Sequence, residues 1–383
     1  MNHIRCLFTK NRLNSPSSDT YFCFFVILII TLLILIPTGF EKNIYPGSLR
    51  AKALIIDTDN STVYSAGIIK HGEQVCKIKI LNGKFKDYEA KAINRLIGKL
   101  EIDKFFFPGD KALVVIDFTN DKIDFVNIID HYRINLEFIL FGAFILFLVL
   151  FAGWTGVKAV LSFVMTVLMI WKILVPCLLK GYDPIILSIF ITAFLTSAII
   201  FLVVGINKKS IAAILGSLSG SMLTCLLSII FVDKFKIHGA VLPFSESLLY
   251  SGYLHLNLTK IFTAGIFIAS AGAMMDIAVD ISSAVHEIAE KNPFITRREA
   301  ILSGFTIGRA VIGTMTTTLL LAYSGGYIAL LMVFMAQGTP VFNILNLKYV
   351  SAEILHTVVG SFGLVTVAPF TAILSGMLFV DIH

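Results

Sequence analysis

Long runs of apolar residues with almost no charge recur along this chain of 383 residues. Only 15% of the residues are charged, whereas soluble domains carry roughly 25%. A run of about 18 or more apolar residues is typical of a helix that crosses a bilayer. The short alternating segments of a porin-type barrel do not appear in these runs. The sequence therefore predicts an α-helical polytopic membrane protein and excludes a soluble one.

The apolar runs also predict the topology. Three basic residues precede the first run, so we expect 1–20 to be a cytoplasmic N-terminus and 21–40 an uncleaved first transmembrane helix; a cleaved signal peptide is the alternative. The later runs are 134–152, 158–178, 184–204, 211–232, 261–285, 301–323, 325–338 and 356–380. They give nine transmembrane helices, or eight if 325–338 is re-entrant, because about 14 residues are few for a span.

Residues 41–133 differ from the rest, with 15 Lys or Arg and 13 Asp or Glu. Apolar residues alternate with polar ones around 51–56, 75–80 and 113–116, and Asn82-Gly83 is a hairpin signal. The polar stretch 88–100 is a candidate short helix. We expect a small, mainly β extracytoplasmic domain inserted after the first helix.

Acidic residues inside a predicted span provide the first candidate site. Asp276, Asp280, Ser283 and Glu287 share one face of the helix predicted at 261–285 and its extension. Each ionisable group in hydrocarbon costs about 2.5–3.5 kcal/mol on insertion scales. Glu287 is either part of the site or a solvated extension of the helix.

The next span carries Arg309 near its middle, with Thr316 on the same face. The estimated depths of Asp276 and Arg309 favour an ion pair between them. That pair is either a lock between two helices or part of a substrate, ion or proton site. Glu353 and His356, one turn apart, form a secondary candidate, for which an interfacial contact is the simpler interpretation.

Several motifs resemble the YibE/F-like family of bacterial integral membrane proteins. They are Gly-Ala-Met-Met-Asp-Ile-Ala at 272–278, Ile-Gly-Arg at 307–309, Ile-Gly-Thr-Met-Thr-Thr-Thr-Leu-Leu at 312–320, Gly-Thr-Pro at 338–340 and Pro-Phe-Thr at 369–371. Ala310 departs from the family pattern, in which an Asp commonly follows the Arg. The resemblance implies a multi-pass protein of the bacterial cell membrane with 134–383 as its transmembrane domain, but it names no substrate.

Three functions remain open at this stage. A transporter or channel for a small ion or molecule fits the intramembrane acidic and Arg site. An assembly protein that recruits an extracytoplasmic partner through the β domain is the alternative, and an intramembrane enzyme is the third. No HExxH, GxSxG or P-loop motif occurs, so the sequence indicates no catalytic residue and no cofactor. The metal question stays open, and the scattered basic residues do not suggest nucleic-acid binding.

Overall fold

The computed structural model describes residues 16–40 and 47–380. The predictions for 1–15, for the start of the β domain at 41–46 and for 381–383 lie outside the described residues. The described chain forms two compact units, one of residues 47–151 and one of residues 16–40 with 152–380.

The first unit contains a small β-barrel. Its strands are β1 (Ser48–Asp59), β2 (Tyr64–Ala66), β3 (Ile69–Ile80), β4 (Glu89–Ile97), β5 (Lys111–Thr119) and β6 (Lys122–His131). β1 pairs antiparallel with both β3 and β5, β3 with β4, and β5 with β6, while β4 meets β6 in parallel. Because this order returns to β1, five strands close on themselves, and β2 is a short extension beside β3.

Buried apolar residues alternate with outward-facing residues along the strands, and the buried ones form the barrel core. Ala53, Ile55, Ile78 and Ile80 are at most 1% exposed, and their neighbours along each strand face outward. The strands expected around 51–56, 75–80 and 113–116 are confirmed. The helix suggested for 88–100 is wrong, because that stretch forms β4 and its alternating side chains complete the barrel.

The long helices lie in the predicted apolar runs. The helices are α1 (Pro16–Leu35), α2 (Ile134–Met169), α3 (Val175–Leu179), α4 (Pro184–Val204), α5 (Lys208–Lys234), α6 (Ser245–Tyr250), α7 (Leu258–Lys291), α8 (Arg297–Ser324), α9 (Ile328–Ala336), α10 (Val341–Asn346) and α11 (Lys348–Phe379). The short helices α6 and α10 correspond to none of those runs. In the described part, six helical stretches are long and apolar enough to cross a membrane, and the span count of eight or nine is not confirmed. One stretch, Ile134–Leu179, has 46 residues and contains a kink at Gly153, whose positive φ of 57° suits glycine.

Small residues bring α5, α7, α8 and α11 close together. A Cβ on Gly308 of α8 would lie 2.9 Å from the Cβ of Ala368 on α11, and one on Gly220 of α5 would lie 2.1 Å from Val367. Such close approach replaces the hydrophobic driving force that is absent between helices in lipid. These four helices enclose the main apolar core of the second unit.

Contacts at the two ends of this bundle show the directions of α8 and α11. At one end, the Lys260 end, Lys260 pairs with Asp183 and the ring of Tyr323 stacks on His356. At the other end, Arg297 donates a hydrogen bond to the carbonyl of Val380 at 2.7 Å. We call this end the Lys208 end, because α5 begins there with Lys208. α8 and α11 are therefore antiparallel neighbours, and the segment 325–347 starts and finishes at the Lys260 end. Of the two alternatives for 325–338, the re-entrant one agrees with the structure.

Candidate functional site

The acidic residues of α7 form an open stripe along the second unit. Asp276 and Asp280 are exposed, whereas Ile277, Ala278 and Ile281 between and beside them are fully buried. This matches the spacing expected from the sequence, because a step of four residues returns to the same face of a helix. We call this stripe of Asp276, Asp280, Ser283 and Glu287 the acidic face.

The acidic face extends to the Lys208 end. The carboxylate of Glu287 pairs with Lys291 one turn further along α7, at 2.5 Å, and both side chains are exposed. This contact favours the solvated-extension interpretation of Glu287. In the described chain, no cluster of three or more His, Cys, Asp or Glu residues is arranged to hold a metal ion.

The register of α7 and α8 sets the depth of Arg309. Cβ atoms built on Gly304 and Gly308 would approach Val285 and Ile281 of α7, at 3.0 and 3.3 Å. The two helices are antiparallel. Arg309, the residue after Gly308, therefore lies level with Asp280, the residue before Ile281. Asp276 is one helical turn, about 6 Å, further toward the Lys260 end.

The ion pair expected between Asp276 and Arg309 is not formed. Neither side chain has an ion-pair partner among the described residues, and both are exposed. The reason lies in the faces of the two helices. Asp276 lies about 140° around α7 from Ile281, which contacts α8, and Arg309 lies about 100° around α8 from Gly308. The sequence placed the two residues at similar depths but did not reveal these orientations.

Arg309 instead shares a face of α8 with Thr316, two turns away, and this face borders an open groove between α8 and α11. The groove has a volume of about 400 Å³. Its lining residues are Thr316, Thr317, Leu320, Thr357, Val358, Ser361, Phe362 and Val365. We call it the hydroxyl groove.

Most polar atoms of the hydroxyl groove can act as acceptors. Thr316 donates its proton to the carbonyl of Ile312 at 2.9 Å, and Ser361 donates to Thr357 at 2.8 Å, so their oxygens keep lone pairs for a solute. Pro369 lies inside α11 and has no N–H, so the carbonyl of Val365 lacks its usual helical donor. The hydroxyl groove therefore offers oxygen acceptors. Arg309 is not among its lining residues and lies about 10 Å along α8 from Thr316, toward the Lys208 end.

The secondary pair, Glu353 and His356, lies at the Lys260 side of the same groove. His356 stacks on Tyr323 with ring centroids 4.4 Å apart, and the carboxylate of Glu353 interacts with the hydroxyl of Tyr327. The hydroxyl of Tyr323 and Nε2 of His356 are buried, and neither has a hydrogen-bond partner in the described chain. Buried polar atoms without partners are uncommon and often mark a functional position or an ordered water.

The structure thus divides the predicted site residues into two groups. Arg309, Thr316, Glu353 and His356 lie along the α8–α11 side, and the acidic face lies on α7. Sequence reasoning missed Tyr327 and did not foresee that Tyr323 would lie against His356. No local signal joins residues 33 positions apart, and only the antiparallel pairing of α8 and α11 brings them together.

Comparison with known proteins gives one result. The profile of a family described as YibE/F-like protein matches residues 140–381, which include both groups of candidate residues. No curated protein and no solved structure matches the chain.

Proposed function

The chain belongs to the YibE/F-like family, and on that premise we propose that it is a membrane transporter or channel whose solute passes along the hydroxyl groove. The observation that carries the proposal is the groove itself. Hydroxyl groups, an exposed Arg309 and the Glu353–His356 pair follow one another along helices that are otherwise apolar. Polar groups at membrane depth are costly unless they meet water, protein or a solute.

The chemistry of the groove favours a small solute that carries negative charge and hydrogen-bond donors. A guanidinium offers five donors in a fixed fork and binds carboxylate or phosphate at two points. The oxygens of Thr316 and Ser361 and the carbonyl of Val365 can accept hydrogen bonds from the rest of such a solute. The position of Arg309 beyond one side of the groove would hold the anionic group there.

The acidic face needs a different explanation within the same proposal. At about 2.5–3.5 kcal/mol for each carboxylate, Asp276 and Asp280 would not remain exposed to lipid. Either water reaches them, which makes them part of a second polar path, or another protein surface covers them. The second case favours an assembly role, and we keep it as the alternative function.

We further propose that the protein lies in the bacterial cell membrane with the Lys208 end in the cytoplasm. The apolar runs place ten Lys and Arg residues on the cytoplasmic side and four on the other. The ten are three before residue 16, Lys158, Lys208, Lys209, Lys291, Arg297, Arg298 and Lys348, and the four are Lys180, Lys234, Lys236 and Lys260. The return of 325–347 moves Lys348 to the opposite side, so the count becomes nine against five. The majority still favours a cytoplasmic Lys208 end. Three of the nine residues precede residue 16 and lie outside the described residues.

Cysteine reactivity in reconstituted protein tests the path without knowledge of the solute. Single cysteines replace Thr316 or Ser361 in the groove, and Phe190, 70% exposed on α4, provides a lipid-facing control. The thiols are then treated with water-soluble methanethiosulfonate reagents that carry either a negative or a positive head group. We expect both groove thiols to react and the control thiol not to react.

The charge of the reagent tests the role of Arg309. The anionic reagent should react faster than the cationic one at position 316, and Arg309→Glu should reverse this preference. Groove thiols as unreactive as the thiol at position 190 would remove the proposed path. A cysteine at position 276 separates the two functions for the acidic face: reaction with the reagents supports a water path, whereas protection together with cross-linking between protein chains supports assembly.

A further inference from the structure

One end of the β-barrel carries large apolar side chains that the barrel core does not use. Ile68, Ile97, Leu100, Ile102 and Phe107 are 49–80% exposed. They belong to the β2–β3 hairpin, to the last residue of β4 and to the loop between β4 and β5. We call them the loop patch.

The loop patch is held in place by specific contacts. The carboxylate of Asp103 accepts hydrogen bonds from the backbone N–H groups of Ile97, Gly98 and Lys99 at 2.7–2.9 Å. The ammonium of Lys70, in the hairpin, lies 3.4 Å from the ring centroid of Phe105, which packs edge-on against Phe107. The exposed apolar groups are thus parts of an ordered surface.

The same end of the barrel leads directly into an apolar helix. The ring of Phe106 lies 4.2 Å from that of His131, the last residue of β6. Only residues 132 and 133 separate His131 from the start of α2, and two residues span at most about 7 Å. The carbonyl of Arg133 accepts the N–H of Leu136 at 2.9 Å, so the helix begins without a flexible linker.

From these contacts we infer that the loop patch rests on the lipid surface of the membrane that α2 enters, with Leu100 and Phe107 at the boundary between head groups and acyl chains. The short connection brings lipid within reach of this end of the barrel in every copy of the protein, and no partner protein is needed to cover the patch. Exposed Lys99 and Lys111 flank the apolar residues, and lysines beside apolar and aromatic groups are common where a protein surface meets lipid head groups. The inference does not depend on the proposed transport function.

Spin labels in the full-length protein test the inference. The protein is placed in nanodiscs of phosphatidylcholine and phosphatidylglycerol, and a nitroxide is attached to a single cysteine at position 100 or 107. Position 88 is the matched control, because Tyr88 is 64% exposed but lies at the opposite end of β3, next to Ile80. Each introduced cysteine is placed in a variant in which Cys76 is the native cysteine that remains. Desolvation raises the pKa of its buried thiol to about 11, so this thiol stays unlabelled while the barrel is folded.

Collision rates with oxygen, which concentrates in lipid, and with a water-soluble nickel complex report the environment of each label. We expect the ratio of oxygen to nickel collisions to be several-fold higher at 100 and 107 than at 88. Mass spectra with one label per molecule confirm that the barrel is folded in each variant. Equal, water-like ratios at all three positions in folded protein would overturn the inference and would leave the loop patch as a docking surface for a soluble partner.

Discussion

The ring of Tyr323, near the end of α8, stacks on the ring of His356 in α11 with 4.4 Å between their centroids. This contact joins residues on either side of the segment 325–347 and makes α8 and α11 antiparallel neighbours. A single aromatic contact therefore bears on both the topology of the membrane unit and the environment of a candidate site residue.

The hydroxyl of Tyr323 can be removed without loss of a hydrogen bond, because it is buried and has no partner among the described residues. An unsatisfied buried hydroxyl costs about 1–3 kcal/mol, so Tyr323→Phe should leave the free energy of unfolding unchanged or raise it. Tyr323→Ala also removes the stacked ring and should lower it by about 3–5 kcal/mol. Thermal or denaturant unfolding in detergent measures both. A clear loss of stability in Tyr323→Phe would indicate that the hydroxyl binds a water or solute.

The return of 325–347 to the Lys260 end can be checked with an impermeant maleimide in intact cells. Single cysteines at 255 and 343 should be labelled from the same side of the membrane, and a cysteine at 294 only from the other, because Phe294 is exposed at the Lys208 end. Labelling of 343 and 294 from one side would show that 325–338 crosses the membrane and that the nine-span topology holds.

Two glycines of α8 should respond in opposite ways to the same substitution. A Cβ on Gly308 would lie 2.9 Å from Ala368, whereas nothing lies within 4 Å of a Cβ on Gly313. Gly308→Ala should therefore destabilise the protein by about 1–3 kcal/mol through overpacking. Gly313→Ala is the control and should be neutral, or stabilising by up to about 1 kcal/mol, since alanine favours the helix. Equal effects at both positions would contradict the observed packing of α8 against α11.

The sequence predicted those features that depend on local pattern. The alternation in β1, β3 and β5 and the face shared by Asp276 and Asp280 follow from periods of 2 and 3.6 residues, and both appear in the structure. Prediction from the sequence failed for features that depend on which helices or strands are neighbours in the fold. The orientation of Arg309 follows from the approach of α8 to α7 and α11, and the strand conformation of β4 follows from its pairing with β3, neither of which leaves a local signal.

Because Asp276 and Arg309 do not pair, their substitutions should act independently on folding. Asp276→Asn and Arg309→Gln should change the free energy of unfolding additively in the double variant, to within about 0.5 kcal/mol. Folded yield and melting in detergent are suitable measurements. Recovery of stability in the double variant would instead reveal an ion pair that forms in another conformation of the protein.

Asp183 at the Lys260 end gives a prediction of pH dependence. Its carboxylate pairs with Lys260 at 2.5 Å and accepts the N–H groups of Ile185 and Ile186 at the start of α4. The hydrogen bond from the Lys260 ammonium is the main cause that lowers the pKa of Asp183. The N–H donors of Ile186 and Ile185 add to the effect, and partial burial opposes it. The interaction requires the charged carboxylate.

A carboxyl group whose pKa is lower in the folded than in the unfolded protein contributes stability above its unfolded pKa of about 3.9, and this contribution disappears as the pH falls through the folded value. Asp183→Asn keeps an oxygen acceptor for α4 but loses the ion pair. It should be less stable than the native protein at pH 7, and the difference should shrink below pH 4.

Asp183→Ala also loses the helix cap and should cost about 1 kcal/mol more at every pH. Melting curves in detergent between pH 7 and pH 3 measure these differences. Lys260→Met is the control, since it should remove most of the pH-dependent part of the effect of Asp183→Asn and leave the smaller part that comes from the N–H groups of Ile185 and Ile186. A difference between native protein and Asp183→Asn that stays constant over this range would show that the Asp183–Lys260 pair does not stabilise the fold.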